Sequence, residues 1–200
     1  FDDKNITHVE GDIDPVRDAE TIETELLLAD IATLEKRKHK VEKISRSGDK
    51  EAKNSLEIIE RLLEECSNGT ASRRVKVGKN DLSFKQSLHL LTEKPVLFVA
   101  NVDEESSVDG NDYSHELTKL GASKGIKTIT MSAKLESDIS EISNIEERNE
   151  FLIALNLVES GLEKLAKAGY DLLDLVTYFT AGPKEVRAWT IKKGTIAKDA

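Results

Sequence analysis

Apolar residues recur at helical spacing in two neighbouring segments of the first half of the chain. The first segment opens with Asp14 and Pro15, a pair typical of a helix N-terminus, and its apolar stripe is Leu27, Ile31, Leu34 and Val41. The second follows a turn containing Gly48, and its stripe is Ala52, Leu56, Ile59, Leu63 and Cys66. Because a short turn joins the stripes, the pattern predicts an antiparallel helical hairpin that ends at Asn68-Gly69. The dense charges between the stripes fit either a solvated face or a contact with a large partner.

Strands and helices alternate in the second half. Pro95 to Ala100 is a continuous apolar run typical of a buried strand, and Ile126 to Met131 predicts a second strand. Helices are predicted over 84–92, 113–124, 145–157 and 160–173. This alternation favours α/β packing with parallel strands. Two β-rich segments, 175–180 and 186–192, then predict a hairpin that opens a small β-containing domain.

The composition narrows the class of protein. The chain has 200 residues, of which 38% are hydrophobic and 34% charged, and no apolar run is long enough to span a bilayer. The net charge of −9 argues against broad nonspecific adhesion to nucleic acid, although a local basic patch remains compatible with it. Cys66 is the single cysteine, so no internal disulfide forms, and a reducing cytoplasm without a membrane partner is expected. The chain starts at Phe1 rather than Met, and we expect it to be a fragment of a longer protein.

Polar residues stand at the ends of both predicted strands of the α/β segment. They are Asn101-Val102-Asp103-Glu104 and Ser132-Ala133-Lys134. Ligands of open α/β sheets bind beyond the carboxyl ends of strands, and one strand–helix unit separates the two tips, so we expect them side by side. Their order and spacing resemble the base-binding end of a GTPase-like fold, where the first motif is usually Asn-Lys-x-Asp and the second Ser-Ala-Lys. An ordinary surface turn is the alternative.

The first motif departs from the guanine-binding form at two positions. Val102 stands in place of the Lys, and Glu104 in place of the final Asp. The longer carboxylate cannot occupy the same guanine-binding geometry, and losing a charge-assisted hydrogen bond costs about 1.5–3 kcal/mol. Adenine offers an exocyclic amine without the paired N1–H and N2–H donors. The substitution therefore predicts relaxed or adenine-leaning specificity.

The chain resembles the Obg-like ATPase (YchF) family over most of its length. The resemblance is carried, in the family's order, by HVEGDIDPVRDAETIETELLLAD, KPVLFVANVDE, MSAKLESDI and LLDLVTYFTAGPKEVRAWTIKKGT. It implies an α/β fold: a partial P-loop NTPase (GTPase-like) domain with an antiparallel helical coiled-coil insertion and the start of a small β-rich TGS domain. The implied bounds are 1–14 and 84–173 for the nucleotide-binding domain, 15–83 for the insertion and 174–200 for the TGS portion.

The resemblance also implies a function. The family binds and hydrolyses ATP in preference to GTP, uses Mg²⁺, and works in the cytoplasm with the ribosome or a ribosomal subunit. It places Asn101, Val102 and Glu104 around the base, with Ser132 and Ala133 adjoining it, and Lys134 stacking or facing solvent. Two alternatives remain: a non-catalytic, nucleotide-gated module for ribosome, RNA or protein partners, and a coiled-coil scaffold in which the first tip is only a turn.

The phosphate-binding half of such a site has no counterpart in the sequence. Neither Gly-x-x-x-x-Gly-Lys-Ser/Thr nor Asp-x-x-Gly occurs in the chain. In the family these motifs would precede Phe1, so we expect no catalytic and no metal-binding residue in this segment. The fragment alone is expected to bind ATP weakly and not to hydrolyse it.

Other residues with chemical potential give weaker patterns. The histidines, at positions 8, 39, 89 and 115, are too scattered to predict a metal site. Cys66 lies on an apolar stripe, which favours core packing over nucleophilic chemistry. The acidic group Asp12, Asp14 and Asp18 is better explained by helix capping and dipole interactions than by ligand binding. Near the C-terminus, Trp189 is surrounded by the basic residues Lys184, Arg187, Lys192 and Lys193. This pattern suggests RNA contact by the TGS portion. Packing of the indole into a core is the alternative.

Overall fold

The computed structural model describes residues 13–196, which divide into two compact units. Residues 17–95 form the first, here called the helical unit. The described residues on either side, 13–16 and 96–196, form the second, the α/β unit. No helix in the range 13–196 is long and apolar enough to cross a membrane.

Two long helices dominate the helical unit. Helix α1 spans Pro15–Ser45 and helix α2 spans Lys50–Ser67. The predicted turn joins them: Gly48 takes a φ of 91°, which favours glycine, and the Asp49 carboxylate caps α2 by accepting from the backbone N–H groups of Glu51 and Ala52 at 2.8 and 3.1 Å. An ion pair of 2.8 Å between Lys38 and Glu60 shows that α2 folds back along α1.

The core of the helical unit follows the predicted stripes but is wider. The side chains of Leu34, Ile59 and Leu62 are fully buried, whereas the stripe residues Leu56 and Leu63 are only partly buried. Ile58 and Leu62, which lie outside the predicted stripe, join the core because the segment around 75–90 packs against α2 as well. A third covering segment therefore enlarges the apolar face beyond a two-helix seam.

The predicted helix over 84–92 is wrong in its second half. Helix α3 spans Leu82–Ser87, and His89 adopts a positive φ of 51°. The buried carboxylate of Asp30 accepts from the backbone N–H groups of Leu91 and Thr92 at 2.6 and 2.8 Å, which fixes these groups outside an α-helix. This bonding also holds the segment within the helical unit. The family resemblance, in contrast, implies a nucleotide-binding domain that resumes at residue 84.

The α/β unit contains the predicted pair of parallel strands. Strand β1 (Leu97–Asn101) pairs with strand β2 (Lys127–Met131), with Asn101 opposite Met131. Helix α4 (Asp112–Lys124) connects them, starting in a capping box and ending at Gly125 with a φ of 66°. The α/β alternation predicted from the sequence is confirmed.

Three helices and a hairpin complete this unit. Helix α5 (Ala133–Glu141) was not predicted, α6 (Ile145–Ala154) is shorter than expected, and α7 spans Gly161–Leu172. Strands β3 (Leu175–Ala181) and β4 (Val186–Lys192) pair antiparallel, which confirms the predicted hairpin. The expectations for 1–12, including His8 and Asp12, and for 197–200 lie outside the described residues.

Candidate functional site

The register of β1 and β2 brings the two polar strand tips together. Beyond the last strand pair, the backbone N–H of Val102 donates to the carbonyl of Met131 at 3.0 Å. The Asn101 side chain then crosses between the tips, because its Oδ1 accepts from the backbone N–H of Ala133 at 2.9 Å. The first motif is thus tied to the second through the side chain that the resemblance places beside the base.

Val102 and Asp103 serve the local structure of the first tip. The Val102 side chain is 3% exposed, so the apolar residue that replaces the usual Lys is part of the interior. The Asp103 carboxylate accepts from the backbone N–H of Ser106 at 2.8 Å and fixes the following turn. Hydrogen bonds from Ser106 hold the pKa of Asp103 below its ordinary value.

Glu104 and Lys134 face each other across the two tips. The carboxylate of Glu104 forms an ion pair with the Lys134 ammonium, and both side chains are exposed, at 44% and 77%. Exposure makes the pair weak and exchangeable, since solvent screens it. Glu104 is therefore the acid of the first motif that is available to a ligand, because the turn already engages Asp103.

The second tip is the first turn of α5. Ser132 is buried and acts as the N-cap, its Oγ accepting from the backbone N–H of Leu135 at 3.4 Å. Ala133 and Lys134 follow on the exposed side of this turn. Ser132 therefore terminates the strand and starts the helix.

Glu136, which the sequence pattern did not single out, fixes α5 against α7. Its side chain is buried, with one carboxylate oxygen accepting from the Gly161 N–H at 2.6 Å and the other from the Leu162 N–H at 3.0 Å. A Cβ on Gly161 would lie 2.6 Å from the Cβ of Met131, so only glycine permits this approach. A Ser followed by the helix-favouring run AKLESDISE was the sequence signal for α5.

The weaker candidates do not assemble into a second site. Within residues 13–196 no group of three or more His, Cys, Asp or Glu could hold a metal ion. Cys66 is buried in the helical core, and burial raises its thiol pKa to about 11, as core packing predicts. Asp18 lies in the first turn of α1, in keeping with a dipole role.

Trp189 lies on the open hairpin. It is 43% exposed, its indole N–H donates to the Thr180 hydroxyl at 2.9 Å, and the Arg187 guanidinium lies 5.9 Å from the ring centroid. Core packing of Trp189 is therefore not seen in the described residues.

Comparisons with known proteins agree with the family resemblance. The family model YchF-GTPase_C, described as a protein of unknown function (DUF933), matches residues 175–200. A protein named ribosome-binding ATPase YchF from Bacillus subtilis is 45% identical over 100% of this chain and 55% of its own length. Its namesake from Escherichia coli O157:H7 is 41% identical over 100% of the chain and 54% of its own length.

A solved structure extends the comparison to the fold. The structure of the Schizosaccharomyces pombe YchF GTPase matches with a TM-score of 0.86 and 35% identity, over 98% of this chain and 54% of that one. The chain thus spans about half the length of the curated relatives it matches. Over its whole length, the chain is similar to proteins named YchF.

Proposed function

We propose that the intact protein is an ATP-binding and ATP-hydrolysing P-loop NTPase that acts at the ribosome, and that this chain supplies its base-binding site. The observation that carries the proposal is the meeting of two strand tips, tied by Asn101 to Ala133 and bridged by Glu104 and Lys134. The names of the bacterial relatives, ribosome-binding ATPases, supply the reaction and the partner.

The geometry divides the work among the tip residues. Asn101 positions the second motif, because its Oδ1 is bonded to the Ala133 N–H, and leaves its amide N–H₂ as a donor. Glu104 offers a carboxylate that can accept from the exocyclic amine of adenine once it exchanges Lys134 for the base. Val102 and Ser132 are buried and shape the floor of the site. Ala133 and Lys134 border the base on the α5 side.

The preference for ATP over GTP belongs to this proposal. The bacterial relatives are named ATPases, whereas the fission yeast structure is described as a GTPase. Glu104 in place of Asp favours adenine on the argument from carboxylate length, because guanine recognition needs one acceptor pair placed against N1–H and N2–H.

Three finer assignments extend the proposal. The hairpin of α1 and α2 is the coiled-coil insertion, residues 96–173 are the second half of the nucleotide-binding domain, and β3–β4 opens the TGS domain. Exposed Trp189 with Arg187 over its ring supports RNA contact by the TGS portion. The phosphate cradle and the Mg²⁺ ligands have no motif in these 200 residues, and the intact protein would supply them from another segment.

Phosphate release by the intact protein, with and without purified ribosomes, tests this function. We expect ATP to be hydrolysed faster than GTP at limiting nucleotide and ribosomes to change the rate. In the Asn101→Ala variant the second motif loses its tether, so KM should rise more than kcat falls. Glu105→Gln, at an exposed neighbouring position, is the matched control. Absence of nucleotide-dependent phosphate release, with ribosome binding intact, would favour the non-catalytic module.

A further inference from the structure

A groove of about 230 Å³ lies in the helical unit between α1 and the end of α3. It is lined by Thr33, Lys36, Arg37, Lys40, Ser87 and Leu88. The α1 residues are spaced by three, one and three positions, which places them on one face of the helix. Three of the six lining side chains are cationic and exposed.

These cations are not neutralised by the protein. Within residues 13–196, no acidic side chain forms an ion pair with Lys36, Arg37 or Lys40. Lys38, on the side of α1 that faces α2, differs: it pairs with Glu60 at 2.8 Å and lies 4.0 Å from Glu42. Packing between the helices thus engages one cation and leaves the groove-lining ones available.

The groove also lies at the start of a basic stretch in an acidic chain. Residues 36–53 contain eight Lys or Arg and three Asp or Glu, although the whole chain carries a net charge of −9. Lys36 and Lys40 are one helical turn apart, and like charges at this spacing oppose helix stability. A bound anion would relieve that repulsion.

We propose that this groove binds the phosphodiester backbone of RNA. The inference rests on the proposed function, because the ribosome named in the relatives offers RNA phosphates to any protein bound to it. A guanidinium between two ammonium groups matches phosphate, since Arg donates in a planar fork and Lys acts as a point charge.

Two features favour RNA over an acidic protein. The hydroxyls of Thr33 and Ser87 donate to carbonyls of their own helices, at 3.0 and 2.7 Å, so the groove presents charge and no free hydroxyl donor for reading bases. Its only apolar lining residue, Leu88, is 7% exposed. Protein partners are usually anchored by apolar or aromatic side chains in open pockets, which this groove lacks.

The test compares variants of the intact protein in binding a short oligouridylate and purified ribosomes across salt concentration. The groove variant is Lys36→Gln/Arg37→Gln/Lys40→Gln. The matched control, Arg61→Gln/Lys76→Gln/Lys79→Gln, removes the same charges from exposed positions of the same unit. A charge-keeping variant, Lys36→Arg/Lys40→Arg, separates the need for charge from damage to the helix. ATP binding is measured for every variant.

The expected result is a change in salt dependence. Losing three phosphate contacts on single-stranded RNA reduces the steepness of log affinity against log salt by about 2. The ratio of wild-type affinity to groove-variant affinity should therefore shrink about 20-fold between 50 and 200 mM salt. The control and the charge-keeping variant should bind as the wild type does, and ATP binding should be unchanged in all.

Three outcomes would overturn the proposal. The groove variant could bind RNA as tightly as the wild type, or the groove and control variants could lose affinity equally, which would reduce the effect to net charge. A third result would assign the groove to an acidic protein. In that case the groove variant loses ribosome binding, the wild type has no affinity for oligouridylate, and polyglutamate displaces the wild type from ribosomes. Failure of the proposed function is distinguishable, because it removes ATP binding from the wild type and leaves the groove comparison intact.

Discussion

Replacing Glu136 by Gln should loosen the N-terminus of α7 and, with it, the support of the second strand tip. The buried carboxylate accepts from the N–H groups of Gly161 and Leu162 at 2.6 and 3.0 Å. Glutamine has only one acceptor oxygen, so either the Gly161 or the Leu162 N–H loses a charge-assisted hydrogen bond worth about 1.5–3 kcal/mol. That N–H then faces the N–H₂ group of the glutamine, which is also a donor. Loss of a negative charge at a helix N-terminus adds about 0.3–1 kcal/mol. The free energy of opening α7 should therefore fall by about 3 kcal/mol.

Hydrogen exchange of the intact protein measures this opening directly. Because 1.4 kcal/mol is a factor of ten, backbone amides at the start of α7 should exchange about 100-fold faster in Glu136→Gln. Glu141→Gln makes the same chemical change at an exposed position of α5, the helix that also carries Glu136, and should leave the exchange rates of α7 unchanged. Equal exchange rates in the Glu136 variant and the wild type would refute the reasoning that this carboxylate anchors α7.

Three further predictions concern stability. Lys85→Met should lower the free energy of unfolding of the helical unit by about 3 kcal/mol. It leaves the Glu93 carboxylate without its cation and removes the 2.7 and 2.8 Å hydrogen bonds from the Lys85 ammonium to the carbonyls of Ser72 and Val75. An unchanged midpoint in a urea titration would contradict this. Burial raises the Cys66 thiol pKa to about 11, so its contribution to stability should be fully present below about pH 9 and be lost as pH rises toward 11. Native protein should also react with a thiol reagent far more slowly than urea-unfolded protein, and equal rates would exclude burial. Gly125→Ala should lower the free energy of unfolding by about 1 kcal/mol, because Gly125 has a φ of 66°. Gly169→Ala should raise it by about 0.5–1 kcal/mol, because Gly169 lies in helix α7 and a Cβ added there meets no other atom within 4 Å. Melting temperatures that shift in the same direction in both variants would refute the backbone argument.

Local patterns were sufficient to predict most of the helices and strands. The stripe from Leu27 to Val41 and the turn at Gly48 predicted the two long helices, and the alternation of 95–131 predicted a parallel strand pair. One prediction failed for a physical reason, and one helix was not predicted. The helix after Ser87 is absent because Asp30, about 60 residues earlier in the chain, binds the N–H groups that it would use. Helix α5 is short, and its position depends on the bonds from the Gly161 and Leu162 N–H groups to Glu136, 25 and 26 residues away, which no local pattern shows.

The candidate site was predictable to a similar depth. Parallel strands bring their carboxyl ends together, so the meeting of the Asn101 and Ser132 segments follows from the order of elements. The bond from the Ala133 N–H to Asn101, the pair of Glu104 with Lys134 and the anchoring of α5 by Glu136 depend on distances that only the folded chain sets. Motifs therefore predicted the residues, and the fold separates those that position the two strand tips from the one exposed acid, Glu104, that a ligand could reach.

A side-by-side titration of ATP and GTP, with magnesium, against the intact protein tests the central claim most directly. Glu104→Asp is the test variant, and Glu105→Asp, one residue further on and also exposed, is the control. We expect tighter binding of ATP than GTP, a shift toward GTP in Glu104→Asp by about 10-fold or more, and no shift in the control. Identical nucleotide preferences in all three proteins would contradict the claim that this strand tip selects the base.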